Sequence, residues 1–323
     1  MKQLHMHDYD KLYALPARWW MAKKVRREWH ALLRKIRFRQ MRINHLGLDL
    51  KIPLPSRLGK YLIVPNEFYM SKCIHAFLTL KAGAAIDIGV HAGEFLVRFK
   101  AACQAMGNDA IEYYGFEPNF ASYCFTSELI LANSWLPQCR LFPVAIADQE
   151  GLCPLHAGRL ADPCSSIHPE VNPGSGDFDT LVTMFSGDHF LKLLSLDAIS
   201  MIKIDAEGAE LEILTGLQRT LSRCRPFIHC EIAKIPPSSA PNHAFLAARN
   251  RAIVDLMTSM DYLIYAIIED ADFYHHIIRR GHYLPRIEGP VSDFNTVSSG
   301  CGNYFMAHKD DMADLLALLA PDR

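Results

Sequence analysis

The chain has 323 residues, with 34 Lys+Arg against 35 Asp+Glu for a formal net charge of −1; half its residues are apolar and about a fifth are charged. That balance buries a sizeable core and excludes the disordered and collagen-like classes. The length accommodates one large domain with additions or two ordinary ones. No uncharged apolar run of about 18 residues occurs, so no transmembrane helix is expected, and the opening segment lacks the apolar core and cleavage site of a secretory signal.

Residues 1–60 read as a basic helical arm. Between Arg18 and Arg42 stand ten basic residues and one acidic, Glu28, so this stretch carries +9 and leaves the remainder at about −10. Trp19, Trp20, Val25, Trp29, Leu32, Leu33 and Ile36 are spaced to share much of one helix face. Such a basic amphipathic segment over residues 18–42 suits a peripheral membrane site or an anionic partner. Packing on the acidic body of the same chain or on a second copy accounts for it equally. Trp and Arg together also suit nucleic acid, the less favoured partner. The arm ends at the breakers Pro53, Pro55 and Gly59, and a single domain is expected over 61–323.

From Tyr61 short apolar runs alternate with helix-length amphipathic segments, the pattern of βαβ units and a mostly parallel sheet. Strands are predicted at Ala84–Ile88, Tyr113–Phe116, Leu141–Ile146, Met201–Ile204, Phe227–Ile232, Tyr262–Ile267 and Asn303–Ala307. Helices are predicted at Glu94–Ala105, Ala121–Asn133, Ala209–Ser222 and His243–Met260. Residues 152–187, rich in Pro and Gly, read as a strand pair carrying a long loop, and Gly281–Gly302 as a second irregular stretch. The nine cysteines show no CxxC pair, and their odd count suits a reducing, cytoplasmic setting. His5/His7 and His275/His276 lie in no ligand pattern, so no metal centre is expected.

Four segments carry chemistry. In Ala85-Ile-Asp-Ile-Gly-Val-His-Ala-Gly93 a strand ends in Asp87 and turns through Gly89 and Gly93 into a helix. A dinucleotide fold would show GxGxxG there, with pyrophosphate on the helix N-terminus. A carboxylate at the strand end repels pyrophosphate and pairs with a cationic amino-acid head group, which favours S-adenosylmethionine over NAD. Thirty residues on, Tyr114-Gly-Phe-Glu-Pro-Asn119 ends the next strand in Glu117, placed to accept both hydroxyls of a ribose. Asp148, after the third strand, is a weaker candidate for an adenine amino group, since AxxDxxG is also plain turn chemistry. In Ile202-Lys-Ile-Asp-Ala-Glu-Gly-Ala-Glu210, strand alternation points Lys203, Asp205 and Glu207 one way and Ile202 and Ile204 the other.

These residues resemble a family. AIDIGVHAGEF, GFEPN, the AIADQEG turn, SLDAI, IKIDAEGAELEILTGL and RPFIHCEI are similar to FkbM-type S-adenosylmethionine-dependent methyltransferases over about residues 80–235, with a weaker tail in MDYLIYAI and GNYFMAH. The resemblance implies a class I methyltransferase fold: an α/β, Rossmann-like arrangement of seven mostly parallel strands flanked by helices. It also implies methyl transfer to a hydroxyl of a glycan, glycolipid or secondary metabolite. By resemblance Asp87, Gly89 and Gly93 would hold the methionine moiety, Glu117 the ribose, and Asp205 would line the catalytic pocket. His91 stands in a turn where the family often shows Ala-Asn; it keeps a hydrogen-bond donor. An alcohol nucleophile also loses a proton, for which Asp205, Glu207 and Glu231 are the candidate bases, with His168 as a lid residue. An RNA or protein acceptor, or an idle methyltransferase-like binding module, are the alternatives.

Overall fold

The computed structural model describes residues 40–53, 58–63, 68–157, 164–171, 178–266, 268–272, 277–283 and 302–319. Residues 1–39 of the expected arm, its tryptophans included, lie outside the described residues. The part that is described corrects the helical expectation. Gln40–His45 (β1) and Leu48–Pro53 (β2) form an antiparallel hairpin. Leu46 (φ 51°) and Gly47 (φ 80°) make a two-residue turn with both φ values positive, the geometry whose twist matches a hairpin. Met41, Ile43, Leu48, Leu50 and Ile52 are buried. Arg42 pairs with Asp49 across the hairpin.

A short 3₁₀ turn, Leu58–Ile63, leads to α1 (Phe68–Leu80). The alternating pattern then appears as read: β3 (Ala84–Ile88), α2 (Glu94–Ala105), β4 (Tyr113–Phe116), α3 (Phe120–Ala132) and β5 (Cys139–Phe142). The strand expected over Leu141–Ile146 is broken in two. Pro143 has no N–H to continue a ladder, and Ala145–Ala147 (β6) leaves for a separate three-stranded sheet. Its partners there are β7 (Gly151–Ala157) and β8 (Phe178–Ser186), the predicted strand pair.

After α4 (Gly187–Leu193) come β9 (Ile199–Ile204), α5 (Glu210–Gly216) and α6 (Gln218–Cys224). The helix expected over Ala209–Ser222 is thus two. Asp188 on α4 accepts the amides of Arg219 and Thr220 at 2.9 and 2.8 Å, donors that a continuous helix would direct to its own preceding turn. The apolar stripe survives the break, with Leu214, Leu217 and Leu221 fully buried. Then follow β10 (Phe227–Glu231), α7 (His243–Ser259), β11 (Tyr262–Ala266), the paired β12 (Ile268–Asp272) and β13 (Ile277–Tyr283), β14 (Asn303–His308) and α8 (Met312–Leu319).

The main sheet has seven strands in the order β11-β14-β10-β9-β3-β4-β5. Its central pairs are parallel, and β14 runs antiparallel to both neighbours. This is the class I methyltransferase arrangement that the resemblance implies. Alternation divides each strand between two cores. Ile86, Ile88, Ile202, Ile204 and Ile228 face α5, α6 and α7, while Ala85, Tyr113, Met201 and Phe227 face α1, α2 and α8. The β1–β2 hairpin caps a third cluster through Phe125 and Leu129 of α3 and Val97 of α2. Among the described residues no helix is long and apolar enough to cross a membrane.

Candidate functional site

Chain order reverses between β3, β4 and β9, and open α/β sheets bind ligands beyond the carboxyl ends of strands at such a point. A cavity of about 270 Å³ lies there, lined by residues following β3, β4, β9 and β10, close to the lower end of the roughly 300–1,000 Å³ of ligand pockets.

Glu117 organises one wall. Pro118 ends β4 immediately after it, and its carboxylate turns back onto the backbone. Oε2 accepts the His91 amide at 2.6 Å and Oε1 the Asn119 amide at 2.8 Å, so one side chain ties the β3 and β4 loops together. Burial pushes its carboxyl above the ordinary value, against the opposing pull of these amides. Two further contacts hold the turn. Thr126 Oγ1 donates to the His91 carbonyl at 2.8 Å, and Asn119 Oδ1 caps α3 by accepting the Ala121 and Ser122 amides. His91 (φ 48°) and, across the cavity, Glu207 (φ 51°) occupy left-handed backbone conformations, which cost about 1–3 kcal/mol each for such residues and cluster at functional sites. Both line the cavity.

The opposite wall is Lys203, Asp205, Ala206, Glu207, Ala209 and Glu231. Of the residues singled out from sequence, Gly89, His91, Glu117, Asp205, Glu207 and Glu231 are thus brought together. Asp87, Gly93, Asp148 and His168 are not. Asp87 is fully buried beneath the cavity, accepting the Tyr113 hydroxyl at 2.5 Å with Lys203 Nζ 3.4 Å away. Its expected head-group partner is replaced by a lysine of the same fold. Gly93 caps α2 with φ 82°, and a Cβ there would press on Leu129 and Thr126. Asp148 is exposed in the turn after β6. His168 faces away, with Nε2 3.2 Å from Glu212 Oε1 and its ring against Phe245. Despite burial, Glu212 is held down at about 2 by His168 and Arg249.

Gly89, which lines the cavity, also has a reason within the fold to lack a side chain. A Cβ at this position would lie 1.7 Å from the Asp205 carbonyl oxygen. The missing side chain admits another strand end of the protein itself, whose Asp205 amide donates to Ile88 O at 3.0 Å.

Several lining residues had no signal in the sequence. Ser165 and Ile167 reach the cavity from the segment 164–171, which is laced over it: Asn119 Nδ2 donates to Ser165 Oγ at 3.1 Å and Ser166 Oγ to the Glu207 carbonyl at 2.6 Å. Met70, Phe95 and Ser122 come from three different helices, and the buried Ser122 Oγ has no hydrogen-bond partner among the described residues. Glu94, at the start of α2, could have been read from the helix its motif opens.

Glu210, the last acid of the fourth motif, is structural. Its buried carboxylate accepts the Gly208 amide at 2.9 Å, and burial pushes its carboxyl up to about 7 from 4.5. A carboxyl whose folded value exceeds its unfolded one binds more protons when folded, so its contribution is full below the unfolded value and is lost as pH rises through the folded one. Urea denaturation is expected to show wild type losing about 2–3 kcal/mol relative to Glu210→Gln between about pH 5 and about pH 8, since each tenfold change in proton affinity is worth about 1.4 kcal/mol.

Among the described residues no group of three or more His, Cys, Asp and Glu side chains is arranged to hold a metal ion. A family model described as Methyltransferase FkbM domain matches residues 87–264, more than half of the chain. Nothing among curated proteins matches. Among solved structures, methyltransferase FkbM from Methylobacillus flagellatus KT is similar at 16% identity and TM-score 0.39, over 60% of this chain and 42% of that one. The match therefore spans less than half of that protein. Precorrin-6Y C5,15-methyltransferase from Geobacter metallireducens GS-15 is similar at 10% identity and TM-score 0.37, over 79% and 92%. SAH-bound methyltransferase PaMTH1 from Podospora anserina is similar at 10% identity and TM-score 0.40, over 91% and 97%. Likenesses this distant do not bear on the chemistry of the site.

Proposed function

The chain belongs to the FkbM methyltransferase family, and from that premise we propose that it uses S-adenosylmethionine to methylate a hydroxyl oxygen of a glycan, glycolipid or other small metabolite. The observation that carries this reading is Glu117. Each carboxylate oxygen already accepts one backbone amide at the cavity wall, and each retains capacity for a second donor, which matches the two hydroxyls of a ribose. Phe116, Val144, Ile146 and Leu155 supply an apolar wall beside it, and the Ser122 hydroxyl a further polar contact, as an adenosyl group requires. The methionine end falls to the Gly89–His91 turn.

When bound, this cofactor supplies a methyl group already activated by its sulfonium. The chain's task is to align the acceptor oxygen, exclude water and take a proton. Asp205, Glu207 and Glu231 line the same cavity as Glu117, and one of them takes that proton. The segment holding Ser165 and Ile167 covers the site. Five carboxylates line the cavity, Glu94 and Glu117 being the others, against one lysine among the described residues. That charge opposes a phosphate-bearing acceptor and favours neutral polyols, which weighs against RNA.

Calorimetry with S-adenosylhomocysteine tests the cofactor, and transfer of labelled methyl from S-adenosylmethionine to a panel of neutral and phosphorylated sugars tests the acceptor. Tight binding of S-adenosylhomocysteine and labelling of neutral sugars are expected. No binding would overturn the cofactor assignment, and labelling confined to phosphorylated sugars would overturn the acceptor class.

A further inference from the structure

Lys203 sits at the point where the two walls of the cavity meet. Its ammonium donates to the Gly89 carbonyl at 2.5 Å and lies 3.3 Å from Asp205 Oδ2 and 3.4 Å from Asp87 Oδ1. A lysine carries three donors, and three protein acceptors surround this one. It is therefore not a free cation awaiting an anionic ligand. Gly89 and Asp205 both line the cavity and Asp87 does not. The lysine thus stands on a buried carboxylate, itself fixed by the Tyr113 hydroxyl, and reaches upward to both walls. In register its neighbours are Asp87 on β3 and His229 on β10. Burial lowers His229 to about 4 and keeps it neutral, so the balance is two carboxylates against one ammonium. Burial also works against the lysine's charge, but Asp205 and Asp87 outweigh it and hold the ammonium above its usual range.

A buried ion pair is weak ground for stability, since apolar groups of similar volume often serve as well. What an apolar pair does not do is grip a turn carbonyl and a carboxylate at once. We propose that Lys203 is a positioning residue of the cofactor site, locking the Gly89 turn and the Asp205 carboxylate against one another. This rests on the S-adenosylmethionine reading above.

Lys203→Met alone strands the Asp87 carboxylate and is expected to lose stability. The informative variant is Asp87→Asn with Lys203→Met, which restores charge balance beneath the cavity while leaving Gly89 and Asp205 untied. Three measurements on the full chain decide: ligand-free thermal melting, calorimetric affinity for S-adenosylhomocysteine, and amide exchange over Gly89–Gly93 compared with Met201–Ile204. The double variant is expected to melt near wild type, to bind at least tenfold more weakly, and to exchange faster only in the turn. Wild-type affinity in the double variant, or faster exchange in both segments alike, would overturn the role given to Lys203. Failure of wild type to bind would instead overturn the cofactor reading.

Discussion

Glu117→Ala is expected to weaken S-adenosylhomocysteine binding by at least roughly 100-fold in calorimetry, from two hydrogen bonds to a charged acceptor at about 1.5–3 kcal/mol each. The loss reaches beyond the ligand contacts. The same carboxylate binds the His91 and Asn119 amides, so the variant also releases the turn that would carry the methionine end. Glu117→Gln is expected to fare little better. Each oxygen receives an amide N–H, and an NH₂ group in either place opposes a donor with a donor. The pH dependence has a definite sign. Burial raises the Glu117 carboxyl, and binding needs the ionised form, so affinity should fall as pH drops, starting above the ordinary glutamate range near about 4.3. Binding by Glu117→Ala within a few-fold of wild type would remove Glu117 from the cofactor site.

Gly89→Ala is expected to cost more than about 4 kcal/mol in urea denaturation, the exceptional end of single substitutions. Two effects combine. The position has φ 83°, where a side chain costs about 1–2 kcal/mol. The added Cβ would also lie 1.7 Å from the Asp205 carbonyl oxygen, and a backbone atom at a strand end cannot swing aside as a side-chain tip can. Gly107→Ala is the control. Its φ is 64° but nothing lies within 4 Å of the new carbon, so only the dihedral penalty of about 1–2 kcal/mol is expected. Equal losses at the two positions would show that the contact with Asp205 contributes nothing.

The departures of the fold from its sequence pattern have two kinds of cause. A helical arm is expected through residue 60 because the basic, Trp-rich stretch at its centre dominates the composition. Yet Met41, Ile43, Leu48, Leu50 and Ile52 alternate at a period of two around Leu46-Gly47, and the structure buries that stripe on α2 and α3. The strand signal is present in the sequence and is overshadowed by its neighbour. Pro143 is likewise visible as a break in the third strand. The division of α5 from α6 is not visible, since it depends on Asp188, some thirty residues away, taking two helix amides.

In the site, strand ends are legible because apolar runs closing on Asp87, Glu117 and Asp205 obey local rules. Side-chain direction is legible wherever strand alternation decides it, as for Lys203 and Asp205. What a charged group pairs with is not local. Asp87 has the look of a ligand for a cationic head group, and the fold supplies that cation itself.

The sequence by itself determined the alternation of strands and helices, the acids at the strand ends and the family, because each follows from patterns within a few residues or from motifs in order. Only the tertiary structure decided which acids face the cavity. Lys203 and the Gly89 carbonyl are 114 positions apart along the chain yet 2.5 Å apart in space. Parallel pairing of β3 with β9 brings them together, and with that contact Asp87 becomes a support and Asp205 a wall.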